Sequence, residues 1–98
     1  MSATPTDPSG APARWQRRSD VSWRASLDAV VVQAPTAADP SVLAGTAAAV
    51  WSLLAEPATV EELVDALTEV YGGDRAVIAR DVEALVERMR TLDVAEAV

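Results

Sequence analysis

Two periods divide the chain. Between residues 20 and 33 apolar side chains alternate with polar ones or cluster in a short run. Beyond residue 46 they recur every third or fourth position. In DVSWRAS, Val21, Trp23 and Ala25 fall on one side and Ser22 and Arg24 on the other. That spacing predicts a half-buried strand. The β-branched run Val30, Val31 and Val32 predicts a second strand. Leu27-Asp28 is a plausible turn between them, giving an antiparallel hairpin without the usual Asn-Gly or Asp-Gly signal. Pro35 ends the second strand because it has no N–H to donate. The TAADP segment reads as loop, and Ser41-Val42-Leu43-Ala44 as a short third strand.

Three helices follow. The first starts near Thr46, whose hydroxyl can cap the next amides. Its stripe is Val50, Leu53 and Leu54, with Trp51 beside it, and Glu56-Pro57 stops it. The second has Thr59 and Glu62 at the N-cap and N3 positions of a reciprocal capping box. Val60, Leu63, Leu67, Val70 and Tyr71 continue it at helical spacing until Gly72-Gly73. The third starts at Asp74 and extends to about Leu92. Its stripe is Ile78, Val82, Leu85, Met89 and Leu92, widened by Val86. Arg80, Glu83, Glu87, Arg88 and Arg90 occupy its outer face.

Strands followed by helices predict a small α+β domain, since a lone hairpin needs helices to cover its apolar face. The ordered domain is expected over residues 14–93. Residues 1–13, rich in Pro, Ser, Thr and Ala, read as a disordered tail, and residues 94–98 as a C-terminal tail. No apolar run is long enough to span a bilayer, and MSATPTDPSGAPA lacks the apolar core of a signal peptide. A cytoplasmic, non-membrane protein is the expectation.

Composition narrows the chemistry. The 98 residues include no Cys and no His, which removes disulfides, thiol nucleophiles and the usual zinc ligands. Fifteen acidic residues outnumber eight arginines, for a net charge of −7. Such a surface is a poor partner for nucleic acid, where each phosphate contact needs local positive charge. Asp65 and Glu69 are four apart but lack the further ligands a metal would require. Tyr71, Ser26 and Thr46 have no base in a recognisable motif. Gly72-Gly73-Asp74 is a turn into a helix, without the Lys or Ser/Thr of a phosphate loop. Neither a catalytic residue, a metal site nor a cofactor site is expected. Arg14, Arg17 and Arg18 form a small basic cluster, open to an acidic partner or simply to solvent. Trp51 reads as core, and Trp15 and Trp23 as packed on the sheet or at its rim.

The order and spacing of these segments resemble one family. VSWRA, VVVQ, SVLAGTAAAVWSLLAEPATVEELVDALTEVYGGD and VIARDVEALVERMRTL, together spanning roughly residues 15–93, resemble the domain of pyrroloquinoline quinone biosynthesis protein D. That domain is also called the RiPP precursor peptide recognition element. The resemblance rests on Ala49-Val50-Trp51 with Leu53-Leu54, on Thr59, Glu62-Leu63, Leu67 and Tyr71-Gly72, and on Asp81-Val82, Leu85 and Met89. Ala44-Gly45 stands where relatives commonly place Asn. The resemblance implies a winged helix-turn-helix-like fold, a three-stranded antiparallel sheet followed by three helices. It also implies a non-catalytic function: binding the leader segment of a ribosomally made precursor peptide and presenting it to a modifying enzyme.

In that family the leader adds as a strand to a sheet edge, and its apolar side chains enter a groove by the third helix. Carried onto this chain, the edge is Ser41, Val42, Leu43 and Ala44. The groove wall is Val82, Leu85, Val86 and Met89. Arg80 and Arg88 are candidates to meet leader acids, and Asp81 or Glu83 leader bases. The implied partners are the leader and its modifying enzyme, with a homodimer also open because an unpaired edge invites self-association. The alternatives are a winged-helix DNA-binding or regulatory domain, or an adaptor that binds only an enzyme.

Overall fold

The computed structural model describes residues 12–98. The described part of the expected N-terminal tail is Pro12 and Ala13, and Ala13 is buried in the core; the remainder of that tail lies outside the described residues. The described residues form two three-stranded antiparallel sheets and three helices. The strands are β1 (Arg14–Arg17), β2 (Ser22–Ser26), β3 (Ala29–Gln33), β4 (Ser41–Ala44), β5 (Ala58–Thr59) and β6 (Ala95–Ala97). The helices are α1 (Thr46–Leu53), α2 (Val60–Tyr71) and α3 (Arg75–Thr91). None of the described helices is long and apolar enough to cross a membrane.

The sheet β2-β3-β4 followed by α1, α2 and α3 is a winged-helix-like α+β arrangement. β2 and β3 form the expected hairpin, with Arg24 opposite Val31 and Trp23 opposite Val32. Leu27 makes the turn at φ 40°, a conformation that is uncommon for a residue with a branched side chain. β4 then pairs with β3, Val42 opposite Val31 and Leu43 opposite Val30. Val30, Val32 and Leu43 point into the core, and Val31 and Val42 line the outer face.

The alternation in β2 does not bury a face of that strand. All five of its residues are exposed, and Trp23 keeps 51% of its surface. β2 is an edge strand that overhangs the core, so Trp23 covers only the rim. Its ring meets Trp51 edge-on with centroids 6.2 Å apart. The Arg17 guanidinium lies 5.0 Å from the Trp23 ring centre and 5.1 Å from that of Trp51, a shared cation–π contact. Trp51 itself is fully buried, as is Trp15 on β1, and neither indole N–H has a hydrogen-bond partner among the described residues. Packing holds both rings.

The second sheet, order β5-β1-β6, departs from the expectation of a single sheet. β1 is its centre, with Trp15 opposite both Ala58 and Ala97. Residues 94–98 are therefore not a tail: Val94 and Ala95 are buried and Ala95–Ala97 is paired. Backbone bonds from Arg17 N–H to Leu54 O and from Arg18 N–H to Val94 O extend this tie.

The helix ends follow local chemistry. Thr59 and Glu62 form the reciprocal capping box, at 3.1 Å and 2.9 Å. Asp74 caps α3 through the Ala76 N–H at 2.8 Å. Helix α1 is the exception. Its N-cap is Gly45, no side chain caps it, and the Thr46 hydroxyl does not serve as expected. Gly45 has φ 58° and ψ −126°, a combination essentially confined to glycine. It turns the chain from β4 directly into α1.

Candidate functional site

Among the described residues β4 has one strand neighbour, β3, and its other side is open. One hydrogen bond fixes which residues face that open side. The Gly45 N–H donates to the Asp28 carbonyl, and this pair continues the β3–β4 register one step past Ala29 and Ala44. In an antiparallel ladder, opposed residues that exchange hydrogen bonds alternate with opposed residues that do not. Leu43 and Ser41 therefore bond to β3. Val42 and Ala44 turn their N–H and C=O groups outward.

The four expected edge residues thus have different duties. Leu43 gives its side chain to the core and its amides to β3, leaving nothing for a ligand. Ser41 is half-buried and also faces β3. Val42, 57% exposed, and Ala44, exposed, offer the backbone groups.

Beside Ala44 a groove of about 390 Å³ opens between the start of α1 and the middle of α3. Thr46 and Ala47 form its α1 side, and Asp81, Ala84, Leu85 and Arg88 its α3 side. The expected wall is corrected at three positions. Val82, Val86 and Met89 are buried and face the core, because the widest apolar stripe of α3 is the one that packs. Leu85 is the half-buried member of the expected set that lines the groove. Arg80 is exposed on α3 but does not line it, whereas Asp81 and Arg88 do.

Ala84, Thr46 and Ala47 are absent from the sequence-based candidates. A usable signal was present for Ala84. Positions 81, 84, 85 and 88 repeat at i, i+3, i+4 and i+7, the flank immediately beside the core stripe. Thr46 and Ala47 carry no such signal, because only the tertiary approach of α1 to α3 brings them there.

Asp81 and Arg88 share with Arg80 and Glu83 the lack of an ion-pair partner among the described residues, while other charged groups of the helices are paired. Glu87 accepts a bidentate pair of hydrogen bonds from Arg90, which holds its carboxyl below the usual range. Arg75 pairs with Asp65, Arg14 with Glu62 and Arg18 with Asp20. Among the described residues Arg88 and Asp81 have no ion-pair partner, and no group of three or more acidic residues could hold a metal. The groove offers an apolar floor, one free charge of each sign and an open strand edge. That set suits holding an extended peptide.

A second hollow, of about 490 Å³, lies on the β2 side of the same sheet, lined by Trp23, Arg24, Val31, Gln33 and Pro40 among others. It borders β2 rather than β4.

Comparison with known proteins agrees with this fold. The family model described as coenzyme PQQ synthesis protein D (PqqD) matches residues 30–94, from β3 to the end of α3 and just beyond. A solved structure described as TbiB1 in complex with the TbiA(β) leader peptide superposes with a TM-score of 0.75. It is 26% identical, and the alignment covers 83% of this chain and 94% of that one. No curated protein matches the chain.

Proposed function

The chain belongs to the PqqD family, and from that premise we propose that it captures the leader segment of a ribosomally synthesised precursor peptide and presents it to a modifying enzyme. The observation that supports this most directly is the outward-facing backbone of Val42 and Ala44 beside the α1–α3 groove. A leader strand placed there would use the same kind of backbone pairing that already joins β3 to β4. The structurally similar TbiB1 is described in complex with a leader peptide, which favours the same class of ligand here.

Magnitudes divide the work between edge and groove. Two residues supply up to four hydrogen bonds, each netting about 0.5–1.5 kcal/mol, so roughly 2–6 kcal/mol in all. Micromolar binding needs about 8 kcal/mol, and the leader must also be ordered. Side chains over Leu85, Ala84 and Ala47 supply the difference. Capture then raises the precursor's effective concentration at the enzyme, so the contribution to catalysis is tethering. The groove has no nucleophile paired with a base, in keeping with a binding role.

A DNA-binding reading fares worse on charge. The exposed side of α2 carries Glu61, Glu62, Asp65 and Glu69, and α3 mixes Asp81, Glu83 and Glu87 with its arginines. Neither makes a basic recognition helix. Self-association, where it occurs, would use the uncharged β4 edge and so compete with the leader.

The test is an amide NMR titration with leader peptides encoded beside this gene. Saturable shifts centred on Val42, Ala44 and residues 81–88 are expected. Absence of shifts with several such leaders, both alone and with the modifying enzyme present, would discard leader capture.

A further inference from the structure

The groove carries two opposite charges that the fold itself does not use. Asp81 and Arg88 are exposed and line it, and neither is ion-paired among the described residues. They are seven positions apart on one face of α3, about 10.5 Å along its axis. Ala84 and Leu85 lie between them, with Ala44 and Ala47 opposite. Three alanines leave a shallow, open depression beside Leu85 where an apolar side chain can rest, with a carboxylate toward one end and a guanidinium toward the other.

An extended peptide repeats that layout on one face, with every second side chain about 6.7 Å along. A side chain centred over Leu85 has its same-face neighbours about 6.7 Å to either side. Along the helix Asp81 is about 6 Å from Leu85 and Arg88 about 4.5 Å from it. The difference of roughly 1–2 Å is well within the reach of Arg, Lys or Glu. Resting on the leader-capture reading, we propose that this groove selects a leader segment of the form charge-x-apolar-x-charge. Its basic residue sits over Asp81, its large apolar residue over Leu85 and its acidic residue over Arg88. The order of the two charges along the peptide is set by the direction of the added strand.

Other occupants match the charges less well. A second copy of β4, Ser-Val-Leu-Ala, has no charged residue and would leave Asp81 and Arg88 unpaired. A uniformly acidic segment meets Asp81, and a uniformly basic one meets Arg88, with a like charge.

The experiment uses fluorescein-labelled peptides with one set of flanks and the cores Arg-x-Leu-x-Glu, Glu-x-Leu-x-Arg, Ser-x-Leu-x-Ser and Arg-x-Ser-x-Glu. Fluorescence anisotropy reads affinity, and amide spectra locate the site. One of the two charged orders should bind about fivefold tighter than the neutral core, as expected for two exposed ion pairs. Replacing Leu by Ser should weaken binding about tenfold or more. In the double variant Asp81→Arg/Arg88→Asp, whose two positions are exposed, the preferred charge order should invert. Equal affinity for both orders, or an unchanged order in the double variant, would overturn the charge pattern while leaving leader capture in place. If neither the probes nor the encoded leaders perturb Val42 and Ala44, leader capture and the charge pattern fall together.

Discussion

In the β2-β3-β4 sheet the strands are four or five residues long and neighbours in space are neighbours in sequence. In the β5-β1-β6 sheet, strands of two, four and three residues come from the α1–α2 connection, the N-terminal end and the C-terminal end of the domain. The first leaves full strands at its edges. The second leaves edges too short to accept another chain. The longer sheet offers an open edge, and the shorter one ties the N-terminal and C-terminal ends of the domain together. An open edge is unpaired structure in the free protein, so stability has to come from elsewhere, and here β1 is one source.

The largest expected effect is therefore in the sheet that touches no ligand. Trp15 is 3% exposed at the centre of β1. Trp15→Ala is expected to cost about 3–5 kcal/mol. That is a large part of the roughly 5–15 kcal/mol available to a small domain. Urea denaturation measures it. A loss below about 1 kcal/mol would show that β1 decorates the domain rather than fastening it.

The next effect belongs to the receiving edge and should separate binding from folding. Val42 faces its N–H away from β3, so Val42→Pro deletes an outward donor and leaves the β3–β4 ladder intact. Stability should change by less than about 1 kcal/mol, while leader affinity falls about tenfold or more, through the lost bond and the proline ring in its place. Calorimetry with an encoded leader and a thermal melt give the two numbers. Unchanged affinity would mean that the leader does not add to β4.

The contrast between the sheets also explains what could be read from sequence. The hairpin and the three helices were legible because their signals are local: alternation, a β-branched run, a capping box and a four-three stripe. β4 was legible chiefly through resemblance. β1, β5 and β6 were not, since strands of two to four residues show no period and owe their pairing to segments far away in sequence. At the site, Leu85 was visible on its stripe. Val82, Val86 and Met89 were assigned to the groove because a stripe gives a helix's apolar face without saying which flank is uncovered. Burial decides that, and it moved the groove to positions 81, 84, 85 and 88.

Thr59 ties the small sheet to a helix, because it pairs with Arg14 and caps α2. Thr59→Ala should cost about 1 kcal/mol. It should also change the acid response. The Thr59 backbone N–H, then its side chain, hold the Glu62 carboxyl below its ordinary 4.5, with Arg14 adding to the effect. A depressed folded-state pKa gives stability that is present above the unfolded value and lost as pH falls through the folded one. Stability should therefore decline below about pH 4.5, and less steeply in Thr59→Ala. Melts across that range check the slope. Identical slopes would mean that the Thr59 hydroxyl contributes nothing to acid sensitivity, leaving the Thr59 backbone N–H as the capping-box group that acts on Glu62.

The smallest effect tests the other edge of the longer sheet. Val30 and Val32 are engaged with β4, so β3 bonds to β2 through Ala29, Val31 and Gln33, and Trp23 and Ala25 face outward on β2. Both edges thus offer outward backbone, yet they differ in charge. β4 has no charged residue, whereas Arg24 sits at the middle of β2. A second copy added symmetrically to β2 would set Arg24 against its own counterpart in a non-hydrogen-bonded pair, where side chains are closest. Like charges so placed are disfavoured by up to about 1 kcal/mol, the usual device by which an edge strand is kept from pairing. Arg24→Val should raise self-association a few-fold in sedimentation velocity without altering leader affinity. If it leaves self-association unchanged, charge is not what distinguishes the two edges, and the groove beside β4 alone accounts for where a peptide is received.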